Sequence, residues 1–373
     1  MDQSRAPIAI FGGEGADTST PRVFFSTHRY VQGAGALSRL GDYLPLVDSH
    51  RPGLMLPDDL PGDVTATVLA TLEVSGAKAV RNRFGGQCCH EEIDRQVAFF
   101  RTANVDAIVA AGGGKVIDTA KCVAFRLGVS LVICPTLAST DAPCSAAAVV
   151  YTEQGMFKDV EFFPGNPNLV VVDTAIIAKA PLRYLVAGMA DALATGYEAK
   201  TCFDNPNSRS MVGGKISLAA SAIATLCSQT IYKRAEEAVA AVRSGHPTEA
   251  LEEVVEANTL LSGTGFESGG LAAAHAIATA LTLIASVEHQ FLHGEMVAIG
   301  LLTQLKLEEH ETEFQRARDL LRRLGLPTKY SDIGLGVEDD PRTGKLAEDA
   351  CSLPFMANEP FAVTPGLVLQ AMK

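Results

Sequence analysis

The distribution of apolar and polar positions divides the chain into two parts. From residue 22 to about residue 180, apolar runs of strand length alternate with helix-like segments, such as 63–75 and 91–103. Parallel strands need crossover segments of this length, whereas antiparallel strands do not. We therefore predict a parallel sheet in an α/β domain. Its predicted strands are 52–56, 105–111, 130–134, 147–152 and 168–173.

Beyond Pro181 the pattern changes to long, alanine-rich segments with helical periodicity. Strand signals become scarce there, which favours an all-helical domain. A chain of 373 residues also exceeds what one hydrophobic core usually serves. We expect an N-terminal extension (1–21), an α/β domain (22–180) and a helical domain (181–373). A cleft between two such domains is a usual place for a ligand.

Charge and cysteine usage narrow the function class. The formal net charge of −12 repels phosphate backbones and anionic membranes, which argues against nucleic-acid and membrane partners. No apolar stretch has the length of a membrane span, and the N-terminus lacks the pattern of a signal peptide. The eight scattered cysteines contain no CxxC pair, which is typical of reduced thiols. We therefore expect a cytoplasmic protein.

A glycine-rich turn supplies the first candidate chemistry. The apolar run 105–111 meets three glycines, Gly112, Gly113 and Gly114, and a helical segment opens at Lys115. Glycine lets a backbone approach a pyrophosphate, and a helix N-terminus offers free N–H groups and a positive dipole. The placement after a strand indicates nucleotide binding, although such a turn can also be purely structural. Asp118 and Lys121 on the following helix are either part of this site or solvated residues.

A second loop, over 134–146, also leaves a predicted strand and is rich in small hydroxyl residues. Thr136, Ser139 and Ser145 suit hydrogen bonding to ribose and phosphate. Asp141 is the only charged residue of the loop. It either contacts a ligand or fixes its own turn.

Two acidic residues follow the first predicted strand of the sheet. Asp58 and Asp59 stand where a carboxylate receives ribose hydroxyls and repels a 2′-phosphate, which favours NAD over NADP. A Pro-Asp-Asp turn explains the same residues equally well.

Three residues of the helical part are out of place unless they bind something. Asp191 and His275 lie in largely apolar helical segments, and His293 stands at the start of another. A buried carboxylate without a partner is costly. Two imidazoles and one carboxylate form a three-ligand set that leaves a position open, as in catalytic zinc sites. Satisfied core histidines are the alternative, and the wide sequence separation does not by itself bring the three together.

Eight segments in order resemble the glycerol dehydrogenases of the iron-containing alcohol dehydrogenase superfamily. They cover nearly all of the chain from residue 22 onward. The resemblance implies a Rossmann-like α/β domain followed by an all-α domain, the dehydroquinate synthase-like fold. The segments are RYVQGAGALSRLGDYL, GGGKVIDTAK, PTLASTDAPCSA, NPNLVVVDTAIIAKAP, GMADALATGYEA, GFESGGLAAAHAI, FLHGEMVAIG and EPFAVTP.

The resemblance also implies roles for individual residues. Asp191, His275 and His293 match the metal ligands of the family, and Thr195 stands where four-ligand iron enzymes have a further histidine, which favours zinc with three ligands. Asp141 and Phe266 match substrate-pocket positions. The positions that match the NAD site are Gly112, Gly113, Gly114, Lys115, Asp118, Thr136, Ser139, Ser145 and, nearby, Tyr151.

The implied activity is oxidation of a small polyol, glycerol to dihydroxyacetone, with NAD and Zn²⁺. Fe²⁺ and Mn²⁺ stay open as alternative metals. Ala278 departs from the family, which commonly has a histidine there, so another diol or a 2-oxo acid stays open as substrate. Two other functions also stay open: an enzyme with a phosphate-bearing substrate, such as dehydroquinate synthase, and a nucleotide-binding homologue without catalytic turnover. The resemblance further implies a ring-like homo-oligomer, with an octamer as one form.

Overall fold

The computed structural model describes residues 7–11, 20–337 and 340–373. Most of the predicted N-terminal extension, 1–21, lies outside the described residues. The described part of that extension includes a short helix, α1 (Pro7–Phe11). None of the described helices is long and apolar enough to cross a membrane.

A six-stranded parallel sheet forms the centre of the first half of the chain. Its strand order is β2-β9-β6-β5-β3-β4, so the predicted α/β class with a parallel sheet is confirmed. The strands are β2 (Tyr30–Gly33), β3 (Pro52–Leu56), β4 (Val80–Arg83), β5 (Ala107–Gly112), β6 (Ser130–Pro135) and β9 (Leu169–Asp173); a short β1 (Arg22–Val23) lies outside the sheet.

Both faces of the sheet are covered by helices. Successive side chains of β3 alternate between two apolar cores, with Leu54 and Leu56 on one face and Met55 on the other. This alternation explains why the central strands are continuously apolar in sequence. The helices of this half are α2 (Leu40–Tyr43), α3 (Gly62–Val74), α4 (His90–Ala103), α5 (Gly114–Leu127) and α6 (Thr174–Ile177).

The apolar run at 147–152 forms a strand but does not join the parallel sheet. It is β7 (Ala147–Tyr151), which pairs antiparallel with β8 (Phe157–Phe162) in a separate hairpin. Only a short turn follows β7, and Gly155 adopts a φ of 85° within it. A turn of this length can return a strand only antiparallel, so placing this strand in the parallel sheet is wrong.

Among the described residues after Pro181, the structure has helices joined by loops and a single two-residue strand. That strand, β10 (Lys215–Ile216), pairs with β1. The scarcity of strands predicted from the alanine-rich pattern is therefore confirmed, whereas the domain division near residue 180 stays a prediction. The helices are α7 (Leu182–Asp204), α8 (Leu218–Ser244), α9 (Glu249–Glu256), α10 (Ser262–Gly269), α11 (Ala273–Thr282), α12 (Ala285–Glu288), α13 (His293–Leu307), α14 (Glu311–Arg323), α15 (Pro341–Ser352) and α16 (Pro365–Ala371).

Two glycines let α13 touch its neighbours backbone to backbone. A Cβ at Gly294 would lie 1.9 Å from the carbonyl oxygen of Ala187 on α7. A Cβ at Gly300 would lie 2.1 Å from the carbonyl oxygen of Ala274 on α11. No side chain fits at these distances, so glycine is required for this packing. The three helices brought together are those that carry the predicted metal ligands.

We predict that Gly300→Ala destabilises the fold even though alanine is the better helix former. The new methyl group must push α13 from α11, at a cost of about 1–3 kcal/mol. Thermal unfolding followed by circular dichroism measures the effect. Gly344→Ala is the matched control, because Gly344 lies inside α15 with open space at its Cβ position. Equal melting temperatures for the two variants would contradict the packing constraint.

Candidate active site

Three helices bring Asp191, His275 and His293 together. The Nε2 atom of His275 lies 3.2 Å from Asp191 Oδ1, and Nε2 of His293 lies 3.6 Å from the same oxygen. One ligand atom from each residue lies within 4.8 Å of the others. Asp191 and His275 are buried, whereas the His293 side chain is 37% exposed. The three donor atoms thus surround a point that stays accessible from the His293 side.

The donor set fits a zinc ion. Asp191 is 1% exposed, and its second oxygen, Oδ2, is buried without a hydrogen-bond partner. Buried carboxylate oxygens are rarely left unsatisfied in proteins, and a cation between the three side chains would satisfy this one. Two imidazole nitrogens and one carboxylate oxygen are ligands that zinc prefers, and three of them leave a coordination position open.

The electrostatics of the cluster favour a positive charge at this point. Burial alone would lower the pKa of His275, but the carboxylates of Glu198 and Asp191 outweigh it and raise that pKa well above its usual value. Burial would likewise raise the pKa of Asp191, yet His293 and His275 hold it below its usual value. The surrounding groups therefore stabilise a carboxylate next to a cation.

Asp141 faces the same region from the loop after β6. Its carboxylate makes no capping bond to its own turn; instead Oδ2 accepts a hydrogen bond from Ser262 Oγ at 3.2 Å. Ser262 Oγ also lies 2.8 Å from Thr195 Oγ1 on α7. Burial and the charge of Asp191 raise the pKa of Asp141 well above its usual value. Asp141 is thus a ligand-facing candidate, anchored to the helices of the metal site, instead of a turn-fixing residue.

The glycine-rich turn connects β5 with α5. Gly112 has a φ of 151°, and a Cβ there would lie 2.6 Å from Val116. Gly113 is the N-cap of α5 and has no side chain that could cap the helix. The first turn of α5 contains no acidic residue. Open space surrounds the Cβ position of Gly114. The first N–H groups of α5 are therefore free to bind an anion such as a pyrophosphate.

The second predicted loop joins this turn directly. The backbone N–H of Thr136 donates to the carbonyl oxygen of Gly112 at 3.1 Å. Lys115 is exposed, and its Nζ lies 5.9 Å from the ring centroid of Tyr151. Ser139 is half-buried in the loop, three residues after Thr136. Thr136 and Lys115 thus lie at the N-terminus of α5, where the sequence predicts the nucleotide.

Asp118 and Ser145 belong to an internal network centred on Lys121. Lys121 is 2% exposed, so its interpretation as a solvated helix residue is wrong. Its Nζ donates to Asp118 Oδ1 at 3.3 Å, to Ser145 Oγ at 3.2 Å and to the carbonyl oxygen of Ala147 at 2.6 Å. Asp118 also accepts from the N–H of Val149 at 3.1 Å. The network ties α5 to the loop over 134–146 and to β7.

Two further predicted residues lie at the edges of the site. Asp58, just past β3, forms an ion pair with Arg83 at the end of β4, with 2.6 Å between Oδ2 and Nε. Phe266 lies one helical turn after Ser262 on α10 and lines a small apolar space with Phe162 and Val212.

Sequence reasoning missed two residues of the site, Glu198 and Ser262. Glu198 is fully buried on α7, and its Oε2 lies 2.5 Å from His275 Nδ1. Its position seven residues after Asp191 places both on one face of a helix, which is the signal that could have found it. Ser262 carries no such signal, because only the fold brings α10 to Asp141.

Comparisons with known proteins show the family to which the chain belongs. The model of the iron-containing alcohol dehydrogenase family matches residues 27–174. A glycerol dehydrogenase of Escherichia coli O6:H1 is 43% identical over 94% of this chain and 95% of its own length. A glycerol dehydrogenase of Thermotoga maritima is 46% identical over 92% of this chain and 94% of its own length.

A solved structure agrees with the architecture as well. The crystal structure of a probable glycerol dehydrogenase from Sinorhizobium meliloti 1021 superposes with a TM-score of 0.86 at 39% identity, covering 94% of this chain and 97% of that one. The sequence identities of 43% and 46% to the two glycerol dehydrogenases are far above the level at which two proteins share only a fold. This chain belongs to the glycerol dehydrogenase family of the iron-containing alcohol dehydrogenases.

Proposed function

We propose that the protein oxidises glycerol to dihydroxyacetone with NAD as hydride acceptor and a zinc ion at Asp191, His275 and His293. The convergence of these three side chains in a chain that is 43–46% identical to glycerol dehydrogenases carries the proposal. The metal would lower the pKa of the substrate hydroxyl when bound there. NAD would accept the hydride from the alcohol carbon.

The protein's own residues have separate tasks in this scheme. Asp191, His275 and His293 would hold the metal through one carboxylate oxygen and two imidazole nitrogens. Asp141 accepts a hydrogen bond from a neighbouring hydroxyl of the polyol, and Ser262 fixes the direction of its carboxylate. The N-terminus of α5 with Gly112, Gly113 and Gly114 receives the pyrophosphate of NAD. The scheme predicts a preference for vicinal diols over simple alcohols.

We also propose that the protein is a homo-oligomer, with an octamer as the specific form, in the cytoplasm. The resemblance of the sequence to ring-forming dehydrogenases supports the oligomer, and the acidic composition and unpaired cysteines support the location. Light scattering of the purified protein gives the number of subunits.

We predict that His275→Ala loses both bound zinc and activity. Removal of one of three ligands leaves an incomplete site, and turnover of glycerol should fall below about one hundredth of the wild-type value. Zinc is measured by elemental analysis and turnover by NADH absorbance. His246→Ala, at an exposed position of the loop after α8, serves as the control. Full activity of the His275 variant would refute the metal site.

We predict that Asp141→Asn weakens catalysis with glycerol more than with 2-propanol. Only glycerol has the neighbouring hydroxyl, and a substitution that leaves one buried hydrogen-bonding group without its partner costs about 1–3 kcal/mol. The ratio of kcat/KM between the two alcohols should therefore fall by roughly tenfold to a hundredfold. Adding other diols and 2-oxo acids to the panel tests the alternative substrates. An equal loss for both alcohols would assign Asp141 a role other than diol recognition.

We predict that Asp58→Ala shifts the cofactor preference toward NADP. Asp58 repels a 2′-phosphate and occupies Arg83, so its removal both ends the repulsion and leaves Arg83 able to pair with that phosphate. The ratio of kcat/KM for NADP to that for NAD should rise by about tenfold or more, corresponding to ~1.4 kcal/mol. Asp59→Ala is the neighbouring control. If both variants leave the ratio unchanged, Asp58 does not contact the ribose.

A further inference from the structure

The helix that carries His275 has its first turn capped by side chains from elsewhere in the chain. The N-cap residue of α11 is Ala272, whose side chain has no acceptor. Glu198 Oε1 accepts from the N–H groups of Ala272 at 2.8 Å and His275 at 2.9 Å. The N–H of Ala273 donates to Glu359 Oε1 at 3.0 Å, and that of Ala274 donates to Gln304 Oε1 at 2.9 Å. All four otherwise unsatisfied donors thus have acceptors.

Glu198 differs from the other two caps because it also binds the His275 ring. While Oε1 accepts the two backbone N–H groups, Oε2 lies 2.5 Å from His275 Nδ1. With Oε1 occupied by two backbone N–H groups, Oε2 is the oxygen that faces the ring nitrogen. A carboxylate can only accept, so Nδ1 must carry the proton of this hydrogen bond. A metal binds only the neutral ring, and with the proton on Nδ1 the lone pair of that form is on Nε2, the atom 3.2 Å from Asp191 Oδ1.

We propose that Glu198 is a positioning residue that keeps the proton of His275 on Nδ1 and so presents Nε2 to the metal between Asp191 and His293. This inference rests on the proposed zinc site. Carboxylates behind histidine ligands generally fix the tautomer and increase ligand basicity, and their loss weakens metal binding about 10- to 100-fold. Because the Glu198 carboxylate both caps α11 and binds the His275 ring, the start of the helix and the orientation of His275 are fixed together.

A purely structural role as a helix cap is the rival explanation, and Glu198→Gln separates the two. The amide oxygen of glutamine still accepts from Ala272 and His275, since two backbone donors select that orientation. The amide NH₂ then faces Nδ1, which must become an acceptor, and the proton moves to Nε2. Glu198→Gln therefore keeps both hydrogen bonds that cap α11, whereas the proton on Nε2 blocks the atom that would bind the metal.

Glu359→Gln is the matched control. Glu359 caps the same helix turn through Ala273 but makes no hydrogen bond to the His275 ring in the part of the chain that the structure describes. Burial, and next the charge of Glu308, raise the pKa of Glu359 to about 9, so a neutral amide replaces a neutral acid at pH 7. Each variant therefore changes one side chain that caps α11, but only Glu198→Gln changes the hydrogen bond to the His275 ring.

The test measures three properties of the full-length wild type and the two variants. These are zinc affinity by competition with a chelator, the melting temperature of the metal-free protein, and the proton signal of His275 Nδ1 in ¹⁵N-edited NMR spectra. We expect Glu198→Gln to bind zinc about 10- to 100-fold more weakly and to lose the Nδ1 proton signal, with a melting temperature near that of Glu359→Gln. Glu359→Gln should keep wild-type zinc affinity and the signal.

Two results would overturn the proposal. One is wild-type zinc affinity in Glu198→Gln; the other is an equal loss of zinc affinity in both variants, which would make Glu198 only a cap. A wild type that shows the Nδ1 proton but binds no zinc would refute the proposed function, while the signal and its loss in Glu198→Gln would still support the positioning of the ring.

Discussion

The contact of α13 with two other helix backbones is the constraint on which the site depends. Gly294 touches the carbonyl of Ala187 one helical turn before Asp191, and Gly300 touches the carbonyl of Ala274 next to His275. Metal ligands must be placed to within a few tenths of an ångström, which flexible side chains alone do not provide. Here the precision comes from helices that cannot approach any closer.

The buried polar groups around the site follow from the same geometry. When α11 begins inside the protein, its first N–H groups cannot reach water, and each would be costly if left without an acceptor. Glu198, Gln304 and Glu359 therefore lie in the core in spite of the cost of burying polar groups. Polar networks of this kind hold one arrangement when every member is satisfied. The stability of α11 and the chemistry of His275 thus depend on shared groups.

The fold was predictable where local pattern and tertiary environment agree. The central strands β3, β5 and β6 are buried on both faces, so their apolar runs mark them in the sequence. The strands β2 and β4 lie at the edges of the sheet, and their half-exposed, polar residues give no such signal. The hairpin of β7 and β8 was misplaced because an apolar run indicates a strand but not its partner.

The site was predictable in residue type but not in geometry. Asp191, His275 and His293 stood out because ionisable groups in apolar helices need partners, yet only the packing of three helices shows that they meet. The sequence left open whether Lys121 is part of a site or solvated. The helix α5 is buried around most of its circumference, so its sequence has no clear polar face from which the burial of Lys121 could be predicted. Ser262 and Glu198 act through contacts across 121 and 77 positions of the chain, which no local pattern encodes.

The buried ammonium of Lys121 has a consequence for how such an enzyme can diversify. It connects α5, which begins at the glycine-rich turn, with Ser145 and Ala147 just after the loop that carries Asp141. The glycine-rich turn and the loop that carries Asp141 are thus mechanically one piece. Reshaping this loop to accept another substrate would therefore also disturb the turn that is proposed to hold the dinucleotide.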